Sequence, residues 1–217
     1  MKTQYLAYVI IATCIILTSC SLDVVIASDD ITTEERVLSN FNEVEVSNDI
    51  QIVLLRGATQ SVKVTTSDNL QNRVITTVTN GKLSARLSGN ISGVDVLRVE
   101  ITMPMIRSLK LSSDSYGTFS GFENLDAFRL DVSSDAFITL SGSATSMNID
   151  ASSDARVEGF DFQTKTCNIN CSSDATVSIT CTEVLTGSAT SDAIIFYKGT
   201  PELNVSTSSD GAVIDSN

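Results

Sequence analysis

A three-residue phrase, Ser-Ser-Asp, returns along the second half of this chain at a spacing close to 20 residues. It stands as Ser112-Ser113-Asp114, Ser133-Ser134-Asp135, Ser152-Ser153-Asp154, Ser172-Ser173-Asp174, Thr190-Ser191-Asp192 and Ser208-Ser209-Asp210. The steps from one Asp to the next are 21, 19, 20, 18 and 18 residues. A period of this length marks stacked coils, in which each unit buries its apolar side only against its neighbours.

The flanks of the phrase say what each coil is made of. At positions −7, −5 and −3 from each Asp, fifteen of 18 residues are apolar, from Leu109 and Leu111 to Leu203 and Val205; the exceptions are Arg107, Gly187 and Thr207. At −6 and −4, all 12 are polar. Strict alternation is a β-strand with one wet face. After the Asp, position +1 is small throughout (Ser115, Ala136, Ala155, Ala175, Ala193, Gly211) and position +3 is mostly β-branched. Each unit therefore reads as strand, tight corner, strand and turn, with glycine in turns such as Ser120-Gly121 and Ser141-Gly142. Like residues recurring in successive units predict parallel, in-register rungs about 4.8 Å apart.

The preceding region has no such period. Strands are expected at 41–46, 50–55, 62–66, 74–79, 83–87 and 94–103, with a hairpin at Asn80-Gly81 and a helical turn at 69–72. Ser47-Asn48-Asp49 and Thr66-Ser67-Asp68 look like degenerate corners. The expected fold is all-β: a right-handed parallel β-helix-like solenoid with coils of about 20 residues, its N-terminal strands starting and partly capping the stack.

The chain starts differently again. Lys2, an apolar run from Tyr5 to Leu17 and the ending Leu17-Thr18-Ser19-Cys20 resemble the signal and lipobox of bacterial lipoproteins, in which the leader is removed and the cysteine lipidated. The expected organisation is a signal peptide at 1–19, a lipidated Cys20 with a flexible tether to residue 36, a starting and capping β region at 37–104, and the repeat solenoid at 105–217. Losing Lys2 with the leader leaves 13 basic against 26 acidic side chains, a formal charge of −13. Such a surface disfavours nucleic acid. There is no histidine, which excludes Ser-His-Asp and Cys-His nucleophilic devices and histidine-based zinc sites.

Four features together resemble one family. They are Phe41-Asn42-Glu43-Val44-Glu45-Val46 leading into Ser47-Asn48-Asp49, the strand from Ile50 to Leu55 closing on Arg56-Gly57, Val99-Glu100-Ile101-Thr102-Met103-Pro104 opening the repeat, and the iterated corners. The family is that of head GIN domain lipoproteins, described as putative auto-transporter adhesins. The resemblance implies a lipid-anchored β-solenoid of the Gram-negative envelope, and it carries no catalytic residues. Family corners often pair glycine with serine, whereas Ser-Asp-Ala dominates here.

Three sets of residues are candidates for function. The first is the corner column Asp114, Asp135, Asp154, Asp174, Asp192 and Asp210, which reads either as backbone-capping turn residues or as a ladder for a cation such as Ca2+. Adjacent carboxylates about 4.8 Å apart repel by roughly 0.9 kcal/mol in water, which something must offset. The serines before each Asp are expected to hydrogen-bond from rung to rung. The second set is Phe137, Ile194, Phe196 and Ile214 at positions +2 and +4, which form either an exposed ligand or subunit interface or a surface buried under the N-terminal strands. The third is Cys167, Cys171 and Cys181. Cys167 and Cys171 lie about 13 Å apart along one strand, too far to bridge. They read as core packing, with a Cys167–Cys181 bridge as the alternative.

The resulting expectation is a lipid-anchored envelope or surface protein without catalysis or a resident cofactor, facing either the periplasm or the cell exterior from the outer membrane. Its partners are the membrane, through the anchor, and a glycan or protein ligand; homo-oligomerisation through the apolar patch is compatible with it. Two other readings stay open, a carbohydrate-active β-helix enzyme and a purely structural envelope module. Against the enzyme, coils varying only from 18 to 21 residues leave no long insertion to wall a cleft. Replacing Cys20 with Ala is expected to move the protein from the membrane to the soluble fraction of fractionated cells; unchanged membrane association would exclude a lipid anchor at this residue.

Overall fold

The computed structural model describes residues 24–217. The leader and Cys20 lie outside the described residues. The repeat region winds as a two-faced coil. One face carries the strands that enter each corner, the other the strands that leave it. β10 (Ser108–Ser112) enters the first repeat corner, and β11 (Tyr116–Ser133) leaves it, rounds a turn and enters the next. β12 (Phe137–Ser152), β13 (Arg156–Ser172) and β14 (Thr176–Thr190) repeat that path. β15 (Ile194–Lys198), β16 (Glu202–Ser208) and β17 (Ala212–Asp215) complete the stack. All pairings in this region are parallel and match like positions: Ser108 faces Arg129, Arg129 faces Asn148, and Asn148 faces Asn168.

The inward rows form one continuous core. Leu109, Leu130, Ile149, Ile169 and Leu185 are fully buried on the entering face, as are Ile138, Val157, Val177 and Ile195 on the leaving face. Beside the corner only small side chains fit, and Ala136, Ala155, Ala175 and Ala193 fill that edge. At the opposite edge the space is wider. There Phe119, Phe122, Phe128 and Phe162 pack, with centroids 4.6 Å apart for Phe119–Phe122 and 4.8 Å for Phe119–Phe128. The three exceptions in the apolar rows have physical reasons. Gly187 holds φ 125°, and a Cβ there would lie 1.9 Å from the Ile169 carbonyl oxygen. Thr207 is on β16, which pairs on one side only. Arg107 precedes β10, so it has not yet entered the sheet.

The N-terminal strands join the stack out of sequence order. β3 (Glu43–Ser47) and β4 (Gln51–Arg56) form a coil of their own, with Asn48 and Asp49 at its corner. This coil pairs with β10 and β11 on one side. On the other it pairs with β7 (Lys82–Leu87) and β9 (Leu97–Met103). The chain therefore lays down the second coil first, goes outward to build the terminal one, and returns past it to begin the repeat. The terminal coil is closed by antiparallel strands. β6 (Val74–Thr79) pairs β7 through the Asn80-Gly81 hairpin. β5 (Ser61–Ser67) pairs β9, with a 3₁₀ helix (Asp68–Arg73) following it. These pairings turn the expected start and cap into a specific arrangement.

Two expectations for this region change. Residues 24–36 do not form a tether throughout. β1 (Val24–Ile26) pairs β8 (Asn90–Ser92), and β2 (Ile31–Glu35) adds antiparallel to β5. Every β2 side chain is exposed, so backbone bonds hold it and no apolar alternation announces it. Thr66-Ser67-Asp68 is not a corner. Ser67 has φ −53° and is buried, and its hydroxyl donates to the Ser28 carbonyl at 2.7 Å.

One core position is imperfect. Ser115 takes the place that Ala holds in the next four coils, and its hydroxyl is buried without a hydrogen-bond partner. Ser115→Ala is expected to stabilise the protein by about 1–3 kcal/mol, the cost of an unsatisfied buried hydroxyl. A lowered midpoint in chemical denaturation would show that this hydroxyl does find a partner.

Candidate functional site

The corners come first because the Ser-Ser-Asp phrase makes them. At each one the second Ser and the Asp both have positive φ, for example 57° and 61° at Ser153 and Asp154. The residue after the Asp donates its N–H back to the residue before the pair, as in Ala175 to Ser172 at 3.3 Å. Two left-handed central residues closed by such a bond have the hallmarks of a type I′ turn, which favours Asn, Asp and Gly. Asn48 and Asp49 adopt the same conformation, so the column has a seventh carboxylate. Corners are joined through the backbone. The Asp N–H donates to the Ser carbonyl of the next coil, from Asp49 to Ser113 at 2.9 Å through to Asp192 to Ser209 at 3.0 Å.

This corrects the expected role of the serines. Among the described residues no hydroxyl-to-hydroxyl bond links Ser113, Ser134, Ser153, Ser173, Ser191 and Ser209; the rung-to-rung bond is carried by their carbonyl oxygens. The Asp carboxylates point to solvent, and among the described residues none is in an ion pair. No group of three Asp, Glu or Cys side chains among the described residues is arranged to hold a metal ion. Exposure to water and screening by salt keep the mutual repulsion of the column small.

The entering face carries a different surface. At its N-terminal end Glu45 sits between Lys82 and Lys110, at 2.8 and 3.0 Å. Their hydrogen bonds hold the Glu45 carboxyl below its ordinary range. Arg129 bridges Asp131 at 2.9 Å and Asp150 at 2.7 Å across two coils. Beyond Asp150 the outward rows turn to amides and hydroxyls. Asn170 donates to Asp150, Thr186 to Asn168 and Ser188 to Asn170, at 2.9, 3.1 and 3.4 Å. The result is a flat polar field with like groups repeating at the rung spacing.

The leaving face holds the apolar candidates. Phe196 stands in register with Ile214, and Ile194 lies two residues from Phe196, so these three adjoin; Phe137 lies three coils away. Phe137, Ile194 and Phe196 are half-buried and Ile214 is 40% exposed. The N-terminal strands do not cover them, because β4 and β9 extend the same sheet edgewise. The cysteines take no part in the surface. Cys167, Cys171 and Cys181 are free buried thiols, and no Cys167–Cys181 bridge forms. Burial pushes the Cys171 thiol up to about 12 and raises that of Cys167 as well, which makes both inert as nucleophiles.

A cleft of about 620 Å³ opens where the repeat begins. Its walls are the end of β4 at Arg56, the segment from Pro104 to Arg107, and the turn of β11 from Glu123 to Arg129. That turn belongs to the longest coil, the 21-residue step from Asp114 to Asp135, and its pairing shifts register between Phe119 and Leu125. The sequence reading did not single out this cleft. Its signal was Arg107, the one charged residue in an otherwise apolar row.

Comparison with known proteins agrees with this architecture. The model of the family described as "Putative auto-transporter adhesin, head GIN domain" matches residues 40–201, and the chain belongs to that family. No curated protein sequence matches the chain. Among solved structures, one described as a putative adhesin from Bacteroides fragilis NCTC 9343 is similar at TM-score 0.73 and 12% identity, covering 88% of this chain and 100% of that one. A putative adhesin from Parabacteroides merdae ATCC 43184 gives 0.57 and 14%, covering 90% and 100%. A putative lipid binding protein from Parabacteroides distasonis ATCC 8503 gives 0.58 and 15%, also covering 90% and 100%. At these identities the likeness is one of fold.

The corner geometry makes a sharp prediction. Ser153→Gly is expected to leave stability unchanged or raise it, since glycine adopts positive φ without penalty. Ser153→Val is expected to destabilise by more than about 1 kcal/mol, the usual cost of a left-handed residue with a Cβ. Thermal unfolding of both variants checks this, and a clear loss in Ser153→Gly would restore a role for the hydroxyl.

Proposed function

We propose that this protein is a non-catalytic binding module of the Gram-negative cell envelope, held to the outer membrane through a lipidated Cys20 and presenting its solenoid to a glycan or protein surface. The observation that carries this reading is the outward side of the entering face. From Asp150 to Ser206 it offers in-register rows of carboxylate, amide and hydroxyl groups on a rigid, flat sheet. Such a field recognises an extended, repeating partner through many weak polar contacts, as an adhesive surface does. Family membership supports it, since the family is described in terms of adhesion.

Chemistry of the site also favours binding over turnover. Carboxylates that act as acid and base face one another across a cleft that excludes water. Here the corner carboxylates line a convex exposed edge, and Asp131 and Asp150 are tied to Arg129 on an open face. The half-buried Phe137, Ile194 and Phe196 and the exposed Ile214 offer a second contact surface, for a protein ligand or another copy of the chain.

The test is a glycan and matrix-protein array probed with the mature chain. Retention of defined ligands without change in their mass is expected. Doubly replacing Asn168 and Asn170 with Arg should reduce retention at least tenfold while leaving the melting temperature in place. Ligand cleavage, or retention indifferent to the face, would overturn the reading.

A further inference from the structure

We infer that the cleft at the start of the repeat binds a short acidic oligosaccharide, taking the carboxylate of a uronic-acid sugar on Arg56 and Arg107. This deepens the binding-module reading and rests on it. The first observation is one of charge. The chain carries 26 acidic and 14 basic residues, so a guanidinium finds a carboxylate readily. Arg36, Lys82, Arg98, Lys110, Arg129, Arg156 and Lys165 all do so. Among the described residues Arg56 and Arg107 are in no ion pair, and both line this one cleft.

Their donors are also open. Arg56 Nη1 donates to the Glu123 carbonyl at 3.3 Å, which fixes the guanidinium against the turn and leaves the rest of its fork unused. Among the described residues the side chain of Arg107 has no hydrogen bond, while its backbone N–H is anchored to the Asn42 carbonyl at 2.8 Å. The nearest acidic wall group, Glu123, is turned away toward the next coil, where it accepts from the Ser143 hydroxyl at 2.6 Å. A carboxylate is the ligand group that suits two free planar forks.

The second observation is apolar. Met105 is 58% exposed on the rim of the same cleft, and Leu125 lines it opposite. A sugar ring presents a C–H face to such side chains and its oxygens to the arginines. The volume of about 620 Å³ suits a small oligosaccharide. The wider charge of the protein sets the length. At −12 overall, its field repels a long polyanion, whereas two guanidiniums act at contact distance on a ligand with few charges.

The experiment is calorimetric titration of the full chain in detergent micelles with trigalacturonate and with its methyl ester, which keeps the rings and removes the charge. The acid is expected to bind at least tenfold more tightly than the ester. Arg107→Ala and Met105→Glu should each weaken it at least tenfold at unchanged melting temperature, Arg107→Lys should recover part of the loss, and Lys63→Ala should bind as the unaltered protein does. Equal affinity for acid and ester, or full affinity in both Arg107→Ala and Met105→Glu, would overturn the cleft assignment. Array ligands held by the protein with no response to trigalacturonate would overturn the cleft assignment and leave the binding-module reading standing. No ligand in either experiment would remove both.

Discussion

The coil exists because two consecutive residues at each corner accept left-handed backbone angles. Without Cβ relief each such residue costs about 1–2 kcal/mol, and the corners repeat that cost with Ser and Asp in place of glycine. What offsets it is the linked geometry on either side. The turn brings the two faces close enough for Ala136, Ala155, Ala175 and Ala193 to fill the narrow edge, and it aims each Asp N–H at the next coil's carbonyl. In-register stacking follows, and with it the continuous apolar rows that no coil could bury alone. A single slip at a corner would turn every inward residue of the following strand outward.

Much of this could be read from residue order. Alternation around each Asp showed the inward and outward rows because both faces are wet on one side only. Small residues at +1 showed a tight corner. The type of tightness was less visible: Ser-Ser-Asp suggested hydroxyl bonding, whereas a polar pair ahead of an Ala and a strand is equally the composition of a turn with two positive φ values. Asn48-Asp49, closer to the usual residues of such turns, was the better clue. β2 was illegible for a different reason. Ile31, Thr32, Thr33, Glu34 and Glu35 bury nothing, so no side-chain pattern records their pairing. The cleft was hidden because Arg56, Arg107 and Arg129 are far apart in sequence and meet only once the coils are stacked.

The surface divides its labour by face. Charge is concentrated at the corner edge, ion pairs at the N-terminal end of the entering face, neutral amides and hydroxyls beyond them, and apolar groups near the C-terminal end of the leaving face. A rigid sheet keeps these regions at fixed separations, so one molecule can engage a partner with more than one kind of contact. Rigidity also limits the entropy lost on binding, which favours many weak polar contacts over a few strong ones.

The interleaved placement of the β3–β4 coil bears on how this protein reaches its native state. Its two neighbours are made later in the chain, one on each side, and β9 and β10 are adjacent in sequence yet separated in space by the coil they enclose. The repeat therefore cannot nucleate on its own predecessor in sequence. It must add to a strand synthesised some 60 residues earlier, held until then without a partner on that side. Assembly is zipper-like from Asp114 onward but strongly non-local before it, so the rate-limiting step belongs to the N-terminal third, and the repeat grows as fast as its chain is delivered.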